Sequence, residues 1–323
     1  MDQRLAALKR WLAGPLGGPE FGIAPASADA SFRRYFRITR ADARSFIAMD
    51  APPEHEDSAA FVRVAQLLRA AGVNAPEVQA QDLAQGFLLL ADLGSVTYLD
   101  VLNDDNADRL MRDAIAALLK WQLATRPGLL PPYDAALLRR ELALFPEWYL
   151  GRHLQRELSA AQRASWESLC AALVASALAQ PQVYVHRDYM PRNLMCCEPN
   201  PGVLDFQDAV IGPLTYDVAS LTRDAFVSWD EARVLDWSVR YWEGAKRARL
   251  PVAADFGEFW RALEWMGLQR HLKVLGIFAR LTYRDGKPKY VADTPRFLGY
   301  ARAAAGRYGA LAPLVRLLDE LHA

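Results

Sequence analysis

The chain has 323 residues, 52% of them apolar, which is enough to bury a sizeable core and to fill two lobes. Its 38 basic and 38 acidic residues cancel to zero formal net charge, which argues against an extended footprint for nucleic acid or an anionic membrane. Cys170, Cys196 and Cys197 form no CxxC pair, so neither a disulfide framework nor a zinc site is indicated. The N-terminus begins as an amphipathic helix without a signal-peptide core, and no apolar run reaches the roughly 18 residues of a membrane span. The expectation is a globular cytoplasmic protein with no membrane or nucleic-acid partner, able to act as a monomer.

Leu5, Leu8 and Leu12 recur at helical spacing, and Gly14-Pro15 stops the helix. After a connection rich in Gly, Pro and Ala, residues Ala30–Ile38 read as one strand, a tight turn and a second strand, and Ser45–Met49 as a third. In kinase-like sheets the turn between the first two strands covers the nucleotide phosphates, and the third strand carries a phosphate-binding Lys. Here the turn offers Ala28, Ala30 and Ser31 but no Gly-rich signature, and Met49, followed by Asp50, stands where the Lys is expected. Backbone N–H groups around Ser31 can still cradle phosphate. Arg33, Arg34 or Arg37 can supply the missing charge, with a solvated strand face as the alternative.

A turn at Pro52–Asp57 runs into a helix striped by Phe61, Val64, Leu67 and Leu68 and ended by Gly72. Glu54 and Glu56 lack the Lys that would pair with this helix, and are expected to favour its N-terminus electrostatically. Pro76–Val78 and Gly86–Leu90 read as the last two strands of a small sheet. Ala91–Gly94 follows as a hinge whose backbone, at Ala91 and Leu93, can pair with an adenine edge. From Ser95 the pattern is mostly helical: 107–124, 134–150, 159–179, 218–226, 230–248, 255–280 and 296–320, the last broken near Gly306. The fold class is α+β, with a small antiparallel-sheet lobe at 1–93 and a larger, mostly helical lobe at 94–323.

The most informative stretch lies between these helices. The apolar run Val183–Val185 ends in His186-Arg187-Asp188, and Asn193 follows five residues after Asp188. A second run, Val203-Leu204, delivers Asp205, with Asp208 three residues later. In phosphoryl transfer an Asp accepts the proton of the attacking hydroxyl, an Asn a few residues on holds a metal ion, and a downstream Asp holds metal again. Asp188, Asn193 and Asp205 fit that order, which points to ATP and Mg²⁺. His186 reads as a structural residue behind the loop. Arg192, inside the loop, can contact phosphate or substrate, or pair with a carboxylate.

With these stretches in place, the chain resembles the aminoglycoside phosphotransferase and choline kinase-like superfamily from about residue 20 to its C-terminus. That likeness implies a bilobal protein-kinase-like fold. Within the superfamily, Ala30–Arg37, Met49–Pro53, His186–Met195, Leu204–Ala209 and Thr215–Asp224 are similar to a narrower branch, the bacterial anomeric kinases of N-acetylmuramate and N-acetylglucosamine that act in cell-wall (peptidoglycan) recycling. The resemblance implies that Asp188 is the catalytic base toward the anomeric (C1) hydroxyl, and that Asn193 and Asp205 hold Mg²⁺. It makes Asp208 an ancillary acid beside the substrate and Asp217 a structural acid that hydrogen-bonds the catalytic loop. The amino-sugar pocket is expected in the helical lobe. Glu147 can bind sugar hydroxyls, Trp148 can pack on the ring or serve the core, and Arg270, near His271 and Lys273, can bind a lactyl carboxylate or lie on a solvated helix face. A kinase of another small hydroxyl compound and a non-catalytic nucleotide-binding scaffold are the competing readings. Retention of Asp188, Asn193, Asp205 and Asp208 weighs against the scaffold.

Overall fold

A computed structural model describes residues 2–27 and 32–322. Ser31, with Ala28 and Ala30, lies outside the described residues. The chain forms two compact units, each discontinuous in sequence: Met1–Ala124 with Arg192–Ala209, and Thr125–Pro191 with Val210–Ala323. The change from strands to helices near residue 94 falls inside the first unit, which also takes back the segment bearing Asn193 and Asp205.

In the first unit β1 (Gly22–Ser27), β2 (Arg34–Thr39), β3 (Ser45–Asp50), β4 (Val78–Asp82) and β5 (Phe87–Ala91) form an antiparallel sheet in the order β1-β2-β3-β5-β4. The strand expected at the start of Ala30–Ile38 is instead β1, earlier in the chain. Its small residues and Pro25 hide the two-residue period, and a proline is tolerated there because β1 is an edge strand. Strand alternation sends Phe36, Ile38, Ala48, Phe87 and Leu89 to one face, where they pack on Leu8 and Leu12 of α1 (Gln3–Leu12) and on Leu16. Asp50 shares that face. It is fully buried and receives Arg4 Nε at 2.8 Å and Arg34 Nε at 3.1 Å.

Helix α2 (Ser58–Ala70) is capped by Asp57, whose carboxylate accepts from the Ala59 and Ala60 N–H groups. Glu56, immediately before the cap, pairs with Arg33 at 2.6 Å. Gly86 (φ +73°) turns the chain between β4 and β5, and a Cβ there would lie 1.8 Å from the Ala51 carbonyl oxygen. Helices α3 (Tyr98–Val101) and α4 (Ala107–Leu123) follow. A two-residue hairpin, Leu194–Met195 with Gly202–Val203, completes this unit.

The second unit is helical: α5 (Ala135–Leu144), α6 (Ala160–Leu178), α7 (Tyr216–Thr222), α8 (Glu231–Arg247), α9 (Phe256–Tyr283), α10 (Thr294–Gly306) and α11 (Ala312–His322). Gln182–Val185 pairs antiparallel with Val210–Pro213. The single helix expected over 134–150 is α-helical only to Leu144. Phe145–Leu154 continues as a wider π-helical segment, and Pro146, which lacks an N–H and crowds the preceding turn, sits where the change occurs. Helix α9 runs through the core and is apolar on most sides. At Gly276 it comes so close to α5 that a Cβ would stand 2.4 Å from the Leu144 carbonyl carbon and oxygen. The solvated helix face considered for Gln269–Lys273 does not exist: all five residues are buried. The break expected near Gly306 is present, between α10 and α11.

Candidate active site

The first unit holds a pocket on the sheet face opposite α1. Tyr35, Arg37 and Ile47 line it from β2 and β3, and Phe61 lines it from α2. Ala91, Asp92, Leu93 and Gly94 form its hinge edge, and Arg192, Asn193, Asp205 and Phe206 close another side. Parity explains the division of the arginines. Tyr35 and Arg37 share one face of β2, whereas Arg34 points with Phe36 and Ile38 to the other. Met49 falls two residues after the pocket-lining Ile47, in register with Tyr35, and is fully buried.

Arg37 binds the hinge: its Nε donates to Asp92 Oδ2 at 2.7 Å and its Nη2 to the Gly94 carbonyl at 2.7 Å. Asp92 also accepts from the Gly94 N–H at 2.9 Å. Burial pushes the Asp92 carboxyl up, but Arg37 and the Gly94 N–H outweigh it and hold it below its ordinary value. Among the described residues, the Leu93 backbone makes no hydrogen bond of its own, which suits it to meet the polar edge of a flat ligand.

Asn193 precedes the short hairpin and Asp205 follows it. The Leu204 N–H donates to the Asn193 carbonyl at 2.9 Å, which fixes the two side chains near each other. Asn193 Nδ2 then lies 3.3 Å from Asp205 Oδ2, and Gln207 Nε2 donates to Asp205 Oδ1 at 2.8 Å. Asp205 has φ +61°, a strained value for a residue with a side chain, and such strain persists where the surroundings impose it. The Asn193 amide oxygen and the Asp205 carboxylate are hard oxygen donors in the number that Mg²⁺ commonly takes from a protein, the rest coming from water and phosphate oxygens. Among the described residues no group of three or more His, Cys, Asp or Glu side chains forms a fuller metal cage.

Asp188 belongs to the second unit, at the end of the Gln182–Val185 strand. Its N–H donates to His186 Nδ1 at 3.2 Å, and the buried His186 ring meets Tyr189 edge-on. The preceding residue, Arg187, has φ +77°. The completely buried Asp217 of α7 holds this bend: Oδ2 accepts the His186 N–H at 2.7 Å and Oδ1 the Arg187 N–H at 3.0 Å. Asp217 is thus the loop-holding acid that the resemblance implied. Burial pushes its carboxyl up to about 7, against the two N–H donors that pull it down.

The Arg187 side chain enters a buried network invisible to motif reading. Its Nη2 lies 2.5 Å from Glu141 Oε1 of α5, and Lys273 Nζ of α9 lies 2.9 Å from the same oxygen. The other carboxylate oxygen accepts from Tyr133 Oη and, at 3.3 Å, from Gln269 Nε2. Lys273 also donates to Tyr216 Oη at 3.0 Å. Burial raises the Glu141 carboxyl, but Lys273 and Arg187 overcome this and bring it to about 2.

The remaining expected site residues are scattered among different environments. Arg33 is paired with Glu56, and Arg34 with Asp2 and Asp50 on the α1 face. Asp208 is exposed. Glu147 is exposed and Trp148 half-buried on the π-helical segment. Arg270 is 2% exposed, with its Nη1 on the Arg223 carbonyl at 3.3 Å. Of the three arginines considered for the missing charge, Arg37 is the one that lines the pocket; Tyr35 and Asp92 were not singled out as site residues beforehand, although the alternation Arg33, Tyr35, Arg37 marks one strand face.

Comparison with known proteins bears on the family and the fold. Residues 22–256 match the family described as "Phosphotransferase enzyme family". A curated N-acetylmuramate/N-acetylglucosamine kinase of Pseudomonas putida is 54% identical over 332 residues, covering 100% of this chain and 98% of that protein. Kinases of the same name from Pseudomonas aeruginosa (54% identity; 99% of this chain, 97% of that one) and Neisseria meningitidis serogroup B (49%; 99% and 96%) are also similar. Among solved structures, a choline/ethanolamine kinase family protein from Mesorhizobium loti superposes with TM-score 0.64 at 14% identity, covering 98% of this chain and 99% of that one. ADP-bound aminoglycoside phosphotransferase APH(2'')-Ib gives 0.59 at 14% identity, with 93% and 98% covered. At that identity the likeness is one of fold.

Proposed function

The chain belongs to the phosphotransferase enzyme family, and on that premise we propose that it is an ATP-dependent kinase phosphorylating the anomeric hydroxyl of N-acetylmuramate, N-acetylglucosamine or both. The observation that carries this reading is identity of 54% along the whole chain to kinases bearing that name, in a chain that retains Asp188, Asn193 and Asp205. A cytoplasmic place in cell-wall recycling accords with it. Among the described residues, no helix is long and apolar enough to cross a membrane.

In this reaction the anomeric oxygen attacks the γ-phosphorus of ATP, the bond from γ-phosphorus to the bridging oxygen breaks, and ADP leaves. Asp188 accepts the hydroxyl proton. The anomeric hydroxyl is more acidic than an ordinary alcohol, so the base needs no strongly raised pKa. Asn193 and Asp205 would hold Mg²⁺, which when bound would supply charge neutralisation on the transferring group. The hinge backbone at Ala91 and Leu93 takes the adenine edge, while Arg37 and Arg192 line the pocket as its cations. Since phosphoryl transfer asks little covalent work of a protein, the value of Asp188 lies in its fixed placement, which Asp217 and His186 supply. Glu147 and Trp148, on the segment that departs from α-helix, are the proposed sugar contacts.

The test is ATP consumption across a panel of N-acetylmuramate, N-acetylglucosamine, aminoglycosides and choline, with phosphorus NMR of the product. Turnover of the N-acetylated sugars with phosphate on C1 is expected; turnover of only the other compounds would overturn the proposal. Asp188→Asn should abolish transfer while ADP binding persists, and an unchanged rate would remove Asp188 from the mechanism.

A further inference from the structure

Arg187 presents a physical puzzle. At φ +77° a side chain costs about 1–2 kcal/mol relative to the right-handed region, and glycine would adopt this bend freely. Set against that cost are the contacts of the Arg187 guanidinium, which glycine could not make. That group is only 19% exposed, and its Nη2 lies on Glu141 at 2.5 Å. Glu141 is held in turn by Lys273, Tyr133 and Gln269, and Lys273 by Tyr216, one residue before Asp217.

The bend that presents Asp188 thus has two carboxylate anchors on separate helices. Asp217 of α7 takes the backbone N–H groups of His186 and Arg187, and Glu141 of α5 takes the Arg187 side chain. The first anchor fixes where the loop starts to turn but leaves rotation about the Arg187 backbone, which sets the direction of the next residue. The second anchor narrows that freedom: a guanidinium held at its tip and a backbone held at its N–H restrain φ, and the Asp188 N–H on His186 Nδ1 at 3.2 Å restrains ψ. We propose that Glu141, acting through Arg187 and fixed by Lys273, is a positioning residue for Asp188, so that the buried Arg187–Glu141–Lys273 cluster serves the rate of transfer rather than substrate affinity.

This inference rests on the assignment of Asp188 as base, and the experiment separates the two. Glu141→Gln keeps the shape of the side chain but takes the shared carboxylate from two buried cations, so a Glu141→Gln/Lys273→Met variant, which removes one charge of each sign, is measured beside it. Arg187→Gly removes the guanidinium while relieving the strained φ and leaving Glu141 paired with Lys273. Steady-state kinetics with both substrates varied, and thermal unfolding of each variant, give the readout. A displacement of about 1 Å in a reacting group costs on the order of 100-fold in rate. The expectation is therefore a fall in kcat of about 10- to 100-fold in all three variants, with both KM values within about threefold. The double variant and Arg187→Gly should recover thermal stability without recovering kcat. Recovery of kcat together with stability would show that the cluster only supports the fold, and would overturn the proposal, as would kcat within threefold of the parent in Arg187→Gly. Full activity of Asp188→Asn, run alongside, would instead remove the assignment on which the inference stands.

Discussion

Helix α9 carries two glycines whose replacement by alanine should have opposite effects. At Gly276 a Cβ would stand 2.4 Å from both the carbonyl carbon and oxygen of Leu144, more than 1 Å inside ordinary van der Waals contact. The obstacle is the backbone of α5, which cannot rotate aside as a side chain end can. Overpacking of this kind costs about 1–3 kcal/mol, and this overlap belongs at the upper end. Alanine returns about 1 kcal/mol of helix propensity, so Gly276→Ala should destabilise by about 2 kcal/mol. At Gly267 the nearest atoms to a Cβ are His271 Nε2 at 3.5 Å and Ala219 Cβ at 3.7 Å, an ordinary contact. Gly267→Ala keeps the propensity gain and should be neutral or stabilising by up to about 1 kcal/mol. The contact at Gly276 lies about one turn from Lys273, and Leu144 about one turn from Glu141, so the same close approach brings that ion pair to 2.9 Å. Gly276→Ala should therefore also lower kcat. Urea unfolding of both variants with the parent, followed by circular dichroism, checks the signs. Equal midpoints for the two variants would refute the argument from close helix approach.

Other expectations follow from the pocket, the loop and the sheet. Arg37→Met leaves Asp92, with a side chain only 5% exposed, without its cation, and should destabilise by about 2 kcal/mol and raise KM for ATP at least fivefold while sparing KM for the sugar. Steady-state kinetics and a melting curve decide, and an unchanged KM for ATP would count against the pocket assignment. Asp217 has its folded-state pKa raised to about 7 from 3.8, so its contribution to stability is full below about pH 4 and is lost as pH rises through 7. The loss is about 1.4 kcal/mol per pH unit over that window. The stability of Asp217→Asn should accordingly fall less steeply between pH 5 and 7 than that of the parent, and parallel slopes would refute the linkage. Gly86→Ala meets both a positive φ and the Ala51 carbonyl at 1.8 Å, and should unfold at a clearly lower urea concentration than the parent.

Much of this architecture was legible in the residues because it depends on local periodicity. Alternation in Tyr35–Ile38 and Ser45–Met49 marks the strands, and the helical stripes and the glycine break near 306 mark most helices. What stayed hidden depends on three-dimensional neighbours. Strand β1 escaped because Gly22–Ser27 has no apolar alternation; its place is secured by pairing with β2. Glu141 escaped because a glutamate on a helix ordinarily faces water, and only the meeting of Arg187 with Lys273 makes its burial tolerable. Gln269–Lys273 read equally well as a polar face, since nothing local tells that helices on several sides enclose α9. The Asp188, Asn193 and Asp205 pattern was readable because it follows spacing along a loop and a hairpin, whereas the surroundings of Glu147, Trp148 and Arg270 depend on helix packing that no local spacing records.

The loss of lysine at Met49 changes how charge is distributed around a nucleotide. Three arginines close by could have replaced it, but each is already ion-paired: Arg33 with Glu56, Arg34 with Asp2 and Asp50, and Arg37 with Asp92. Arg34 is on the face away from the pocket, so it cannot reach a ligand there without leaving a fully buried Asp50 short of a donor. Arg37 does line the pocket, and a phosphate that meets it must share the guanidinium with Asp92. Asp92 also holds the Gly94 N–H, and Arg37 the Gly94 carbonyl, so any pull on this arginine is felt in the hinge that would hold the base. A strand lysine grips phosphate independently of the hinge. In this chain the two ends of the nucleotide would instead be coupled through one ion pair, which is why Arg37 rather than Met49 is the position where substitution should alter nucleotide affinity.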